Sequence, residues 1–148
     1  MAIPSPDPKY VFRGDMDCVN CILFQMTPNV EHLYAGTAEG NVHIWNLNIF
    51  SLSVDHLLHN KNKIIMTNPG TSIITIRPDA KIMAVGGWDS RIRLYSWKTL
   101  KPLAVLNQHK DTVHDISYSI ERIKAYDNKF IMATAAKDGY IALWDIYN

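Results

Sequence analysis

The sequence predicts an all-β protein made of three repeated units, each with four short strands. Three observations carry this. One motif recurs three times: residues 35–47 read AGTAEGNVHIWNL, residues 85–97 read VGGWDSRIRLYSW, and residues 134–146 read TAAKDGYIALWDI. The shared aromatic position, Trp45, Tyr95 and Trp144, returns after 50 and then 49 residues. Each copy also alternates along the chain with period two, the spacing of a strand rather than a helix. Finally, each copy carries a tight-turn pair, Glu39-Gly40, Asp89-Ser90 or Asp138-Gly139. Gly tolerates positive φ there, and Asp bonds its own backbone.

The elements follow in chain order. Residues 1–9, with prolines at 4, 6 and 8, read as an extended arm. The repeat domain is expected over 10–148, with repeats at about 10–59, 64–106 and 107–148. Repeat one opens with the β-prone Tyr10–Arg13 and a strand at Val19–Phe24. The small residues Ala35 and Gly36 precede its turn, and Val42 and Ile44 share one face after it. Its fourth strand is the looser Leu52–Leu58, before a seam in about 48–66 where residues 60–63 (NKNK) interrupt the pattern. Repeat two has a strand at Ile74–Ile76 ending at Pro78-Asp79, then Gly86 and Gly87, the turn, and a fourth strand at Leu103–Leu106. Repeat three has Val113–Tyr118 and the small Ala133 and Ala135, but stops at Asn148 with no fourth strand. A turn or so of helix fits Ile120–Tyr126, ended by Asp127-Asn128.

Four short strands per repeat make a propeller blade, and propellers typically have 4–8 blades. Three blades therefore predict an incomplete or atypically closed ring, with self-association as one outcome. Residues 10–13 are candidates to complete the last blade by pairing with residues 140–146, since a paired edge is no longer open to aggregation.

Composition narrows the function. The chain is 47% apolar, so it can bury a core and disorder is not expected. The net charge is +1 with both signs interspersed, which predicts no nucleic-acid partner and no anionic membrane surface. Small basic spots remain at Arg77, Arg91 and Arg93. No apolar run reaches the roughly 20 residues of a membrane span, and the N-terminus lacks a secretory pattern. Two cysteines make no disulfide framework, so a cytoplasmic or nuclear setting fits.

The residues now carry a resemblance. The whole chain resembles the WD-repeat family. More narrowly it is similar to the guanine nucleotide-binding protein subunit beta-like protein 1 group and the related fungal ASTRA-associated group. Residues 67–70, 75–79, 87–89, 91–93 and 101–106 carry that likeness, with residues 6–8 and 10–14 at the other end. The resemblance implies a non-catalytic seven-bladed scaffold binding protein partners in a multiprotein complex. It further implies co-chaperone assembly of phosphatidylinositol-3-kinase-related kinases, or a chromatin-associated complex. This chain holds a first blade and the last two, so a shortened product without independent function is the alternative. The family's repeat joins a His, a Ser or Thr, an Asp and the Trp by hydrogen bonds. Only repeat three carries such a set, as His109, Thr134, Asp138 and Trp144. Repeat one has Asp15 and Glu39 near those places. Repeat two keeps Asp89 but lacks the His, so blades one and two are expected to be held less firmly.

Chemistry-bearing clusters are few. Cys18 and Cys21 have metal-ligand spacing, but no second pair completes four ligands, so core cysteines are expected and no metal. An enzyme would have to use His109, His114, Asp111 and Asp115. The repeat accounts for His109, and His114 falls on a strand, so no catalytic residue and no cofactor is assigned. Trp88 is different, because it sits in a turn where the other repeats have Ala38 and Lys137. It either packs on a neighbouring blade or anchors a partner. The turns before each third strand and the loops before each first strand should share a face. Asp15, Asp17, Trp88, Arg91, Lys110, Asp111 and Lys137 would line it, a mixed charge that suits a protein partner.

Overall fold

The computed structural model describes residues 17–27, 30–46, 60–65 and 68–147. The expected arm at 1–9, the strand at Tyr10–Arg13, Asp15 and the expected fourth strand at Leu52–Leu58 lie outside the described residues.

Three antiparallel sheets stand in sequence order. Blade one contains β1 (Val19–Thr27), β2 (Val30–Thr37), β3 (Asn41–Asn46) and β4 (Asn60–Ile65). Blade two contains β5 (Thr71–Ile76), β6 (Ile82–Gly87), β7 (Ile92–Ser96) and β8 (Pro102–Leu106). Blade three contains β9 (Val113–Tyr118), β10 (Ile131–Ala136) and β11 (Ile141–Asp145). Each strand pairs with its neighbour in the chain, as short connections favour. Among the described residues the helical content is one 3₁₀ turn at Lys124–Tyr126, ended by Asp127 and Asn128 in the left-handed region.

The repeat is visible in the backbone. Ile22, Ile74 and Ile116 face Ala35, Val85 and Thr134 across the first two strands of their blades. The first pairing slips once in every blade, and β3·β4 and β7·β8 slip just before Trp45 and Tyr95. Each turn before a third strand ends at a positive φ, at Gly40, Ser90 and Gly139.

One strand differs from the sequence reading. The fourth strand of blade one is β4, in the stretch expected to interrupt the pattern. Its Asn-Lys-Asn-Lys composition hides it, because a ladder needs only backbone N–H and C=O groups. Polar, lysine-bearing sequence is moreover what an edge strand tolerates.

Two hydrophobic clusters hold the blades together. Tyr34, Val42, Ile44 and Ile64 of blade one bury with Ile74, Met83, Val85 and Tyr95 of blade two. Ile82, Ala84, Ile92 and Leu94 of blade two bury with Val113, Ile116, Tyr118, Met132 and Ile146 of blade three. Small residues permit the approach. A Cβ at Gly36 would meet Thr71 Cγ2 of blade two at 2.5 Å, and one at Gly86 would meet Val113 Cγ1 of blade three at 3.0 Å, so each glycine leaves room for the next blade. Polar ties cross the same seams. Trp97 Nε1 donates to Tyr34 Oη at 2.6 Å. Buried Arg77 grips Asp79 with two hydrogen bonds at 2.8 Å and donates to the carbonyls of Ile146 and Tyr147 at 2.7 and 2.9 Å. Among the described residues no comparable contact joins blade three to blade one, and there the three sheets do not close a ring.

Candidate functional site: the loop rim of the three blades

An antiparallel blade puts the start of its first strand and the end of its second at the same end. One backbone hydrogen bond repeats there. Ala38, Trp88 and Lys137 donate their N–H groups to the carbonyls of Cys18, Gly70 and Thr112, at 2.9, 3.0 and 2.9 Å. Neighbouring blades also touch at this end. Gly40 lies against the backbone of Asn68, and Thr112 Oγ1 donates to the Trp88 carbonyl at 3.3 Å. The loops before each first strand and the turns before each third strand therefore form one continuous rim.

Trp88 sits in the middle of that rim, 47% exposed. Its ring lies on Gly70, where a Cβ would collide with it, and Gly70 has φ +90°. One ring face rests on Gly70 of its own blade, not on a neighbouring blade, and the rest of the ring meets solvent. Asp17, Arg91, Lys110 and Lys137 are exposed on the same rim, and Asp111 is half-buried. Asp15 is outside the described residues. Arg77 and Arg93, read from sequence as basic spots, are instead buried in ion pairs with Asp79 and Asp89. Of those three arginines only Arg91 is presented to solvent.

Beneath the rim each blade fastens its turn in its own way. In blade three, Trp144 Nε1 lies 2.9 Å from Thr134 Oγ1, which lies 2.8 Å from His109 Nε2, and His109 Nδ1 lies 3.1 Å from Asp138 Oδ2. An indole N–H only donates and a carboxylate only accepts. Trp144 therefore donates to Thr134, and His109 Nδ1 donates to Asp138, while the Thr134 hydroxyl and His109 Nε2 share the hydrogen bond that links the two halves. Asp138 also accepts from the N–H groups of Lys110 at 2.8 Å and Tyr140 at 3.0 Å. The Lys110 bond is the foremost reason its carboxyl is held below the usual range.

Blade two replaces this set with one that sequence reasoning missed. Asp89 accepts from Arg93 Nη1 at 3.1 Å, Arg93 Nη2 at 2.6 Å and Asn68 Nδ2 at 2.8 Å. Burial alone would raise the Asp89 carboxyl. The Arg93 and Asn68 bonds outweigh it and bring the pKa to about 2. Blade two is thus fastened without the histidine. The available signal was Arg93 four residues after Asp89, although Asn68 is distant in the chain. Blade one is local, with Asn41 Nδ2 donating to Glu39 Oε2 at 2.9 Å and the Asn41 N–H to Thr37 Oγ1 at 3.3 Å.

The acid–base cluster is not assembled. Among the described residues no hydrogen bond links His114 or Asp115 to His109, and the Asp115 carboxylate caps the N–H of Ile116 at 2.9 Å. No group of three metal-ligating side chains is found among the described residues. Cys21 is half-buried and its thiol is pushed up to about 11, first by burial, against a backbone hydrogen bond at Gly36. No described helix is long and apolar enough to cross a membrane.

Comparison with known proteins places this arrangement. The family profile of the WD domain, G-beta repeat, matches residues 6–46 and 100–145, more than half of the chain. The mouse guanine nucleotide-binding protein subunit beta-like protein 1 is 39% identical over 101 residues, covering 68% of this chain and 28% of that protein. The ASTRA-associated protein 1 of Schizosaccharomyces pombe is 38% identical over 95 residues, covering 64% of this chain and 23% of that protein. The chain thus spans about a quarter of the length of these relatives. The crystal structure of RRP9 WD40 repeats superposes with a TM-score of 0.71 at 15% identity, over 93% of this chain and 38% of that one, a likeness of fold alone. The family profile passes over blade two, whose turn is held by arginine and asparagine in place of histidine.

Proposed function

Since this chain belongs to the WD-repeat family, a typically non-catalytic one, we propose that it is a scaffold whose loop rim binds a protein partner. The observation that carries this reading is the half-exposed Trp88, held in place by Gly70 and Thr112 at the centre of the rim. A preorganised Trp ringed by charges of both signs is the composition of a protein-binding hot spot. Arg91, Lys110, Lys137, Asp17 and Asp111 supply the polar rim and the steering. The ASTRA-associated name of several relatives supports membership of a multiprotein complex. Co-chaperone work on phosphatidylinositol-3-kinase-related kinases, or a chromatin-bound assembly, is the setting in which we place it, in cytosol or nucleus. The shares of 28% and 23% of the relatives favour a second reading, a shortened product without activity of its own.

Affinity capture with wild type and Trp88→Ala separates these. Truncating a hot-spot Trp commonly costs ≥ ~2 kcal/mol, a loss of about 30-fold in affinity. The scaffold reading expects a specific partner retained by wild type and lost by Trp88→Ala, with the circular dichroism of the two proteins alike. A partner held equally by both would move the binding face off the rim. Failure of wild type to retain any stable partner would favour the shortened product.

A further inference from the structure

Antiparallel order also gives the blades a second face, at the strand ends opposite the rim. Residues 77–81 and 97–101 of blade two and residues 119–130 of blade three lie there, each joining two paired strands. Contacts run from one connection to the next. The Trp97 N–H donates to the Lys81 carbonyl at 2.9 Å, and the guanidiniums of Arg77 and Arg122 lie 5.9 and 4.8 Å from the centre of one ring, Phe130. The chain's net charge of +1 conceals how basic this face is. Lys81, Lys98, Lys101, Arg122 and Lys124 are exposed on it, and none of them is in an ion pair among the described residues. The carboxylates left outside ion pairs there are Glu121 and Asp127, because Arg77 takes Asp79 and Lys129 takes Asp145.

Arg122 differs from the lysines in being held. Besides its place over Phe130, its Nη1 donates to the Asn128 carbonyl at 3.2 Å. The loop beneath it is pinned by the bridge between Ile123 and Lys129. A guanidinium presents its N–H groups as a rigid fork that matches a carboxylate. Arg77 and Arg93, also held in place, each grip such a partner, Asp79 and Asp89. Arg122 faces solvent and grips none among the described residues. Its loop has twelve residues where the equivalent connection of blade two has five, and it exposes Ile120 and Tyr126 beside the charges.

We infer that this second face binds an acidic protein segment, with one of its carboxylates in the fork of Arg122 and an apolar side chain against Ile120 and Tyr126. The argument is charge complementarity combined with a fixed donor. A guanidinium already held in place loses little freedom on binding, and its bond to a carboxylate is charge-assisted. Lys81 and Lys124 steer the approach. Glu121 and Asp127 break up the positive field, which opposes a polyanion with evenly spaced phosphates. A peptide can set its carboxylates beside the cations and its apolar group beside Ile120.

Fluorescence anisotropy with a labelled peptide tests this. The peptide has aspartates and glutamates on both sides of one leucine, and its control has asparagines and glutamines instead. The 148-residue chain should bind the acidic peptide, release it as salt rises, and ignore the control. Arg122→Gln should weaken binding at least about tenfold, the worth of a hydrogen bond to a charged group. Arg122→Lys keeps the charge without the fork and should recover only part of that loss. Lys124→Gln should weaken binding about threefold, as an exposed charge does. Both side chains are exposed, so circular dichroism should not change. Trp88→Ala, at the other end of the strands, should bind the acidic peptide as wild type does, so this inference and the rim reading fail separately. A wild type that binds neither peptide, or both alike, overturns the inference. So does an Arg122→Gln protein that binds like wild type. Tighter binding of single-stranded DNA or phosphatidylserine vesicles than of the acidic peptide overturns it too, because the face then prefers another kind of anion.

Discussion

Replacing Asp89 by Asn should destabilise this protein more than removing Asp89 and Arg93 together. Asp89 takes three side-chain hydrogen bonds, two from Arg93 and one from Asn68. Its side chain is 17% exposed and that of Arg93 is 8% exposed. A pKa that falls from 3.8 to about 2 is worth about 2 kcal/mol for the ionised form, at ~1.36 kcal/mol per pKa unit. Solvent at the carboxylate screens part of this, which makes that figure an upper bound. The larger effect lies with the partner. Arg93 stays charged at any ordinary pH, so Asp89→Asn leaves a buried guanidinium without its counter-ion. Breaking a buried pair from one side costs about 3–5 kcal/mol, while replacing both members with apolar groups is often close to neutral. Urea denaturation of Asp89→Asn, Arg93→Met and the double variant Asp89→Leu/Arg93→Met measures this. The single Asp89→Asn should lose about 3 kcal/mol, and the double variant should recover most of it. The pH dependence follows the lowered carboxyl. Its contribution is complete above pH 4, fades as pH falls through about 2, and is absent from Asp89→Asn. An Asp89→Asn loss below about 0.5 kcal/mol, the range of surface substitutions, would refute the reasoning.

The other expectations are narrower. Thr134→Val keeps the shape of the side chain but leaves His109 Nε2 and Trp144 Nε1 unpaired in the interior. It should cost about 1–3 kcal/mol in chemical denaturation, and a neutral result would mean that the chain of bonds carries no stability. Gly70→Ala forces a Cβ into the Trp88 ring at a positive φ, so it should push the indole into solvent. Tryptophan emission would move to the red with a loss of at least about 1 kcal/mol, and an unchanged spectrum would contradict the stacking. Alkylation followed by mass spectrometry should label exposed Cys18 well before Cys21, whose thiolate forms only near pH 11. Equal rates would show that the first strand opens readily.

Much of this protein is set by its sequence alone. Period-two alternation, the triple motif and the turn pairs determine an all-β chain of blades, because each is a local property of a few consecutive residues. The set of His109, Thr134, Asp138 and Trp144 is legible for a related reason: its spacing is that of the repeat, and the hydrogen bonds then join its members. The rim follows from strand direction, since antiparallel order alone brings those loops to one end. Other features were decided only in three dimensions. β4 has no hydrophobic pattern to announce it, since its place is fixed by backbone pairing with β3. Arg77 and Arg93 look like surface charges until Asp79, Asp89, Asn68 and the carbonyls of residues 146 and 147 close around them. Trp88 reads as either packed or free until Gly70 arrives beneath it from the preceding loop. Ile22, Phe24, Ile141 and Leu143 carry the same alternation as their buried counterparts. Whether such a side chain is core or surface depends on which sheet stands opposite, and periodicity along one strand holds no information about the neighbouring sheet.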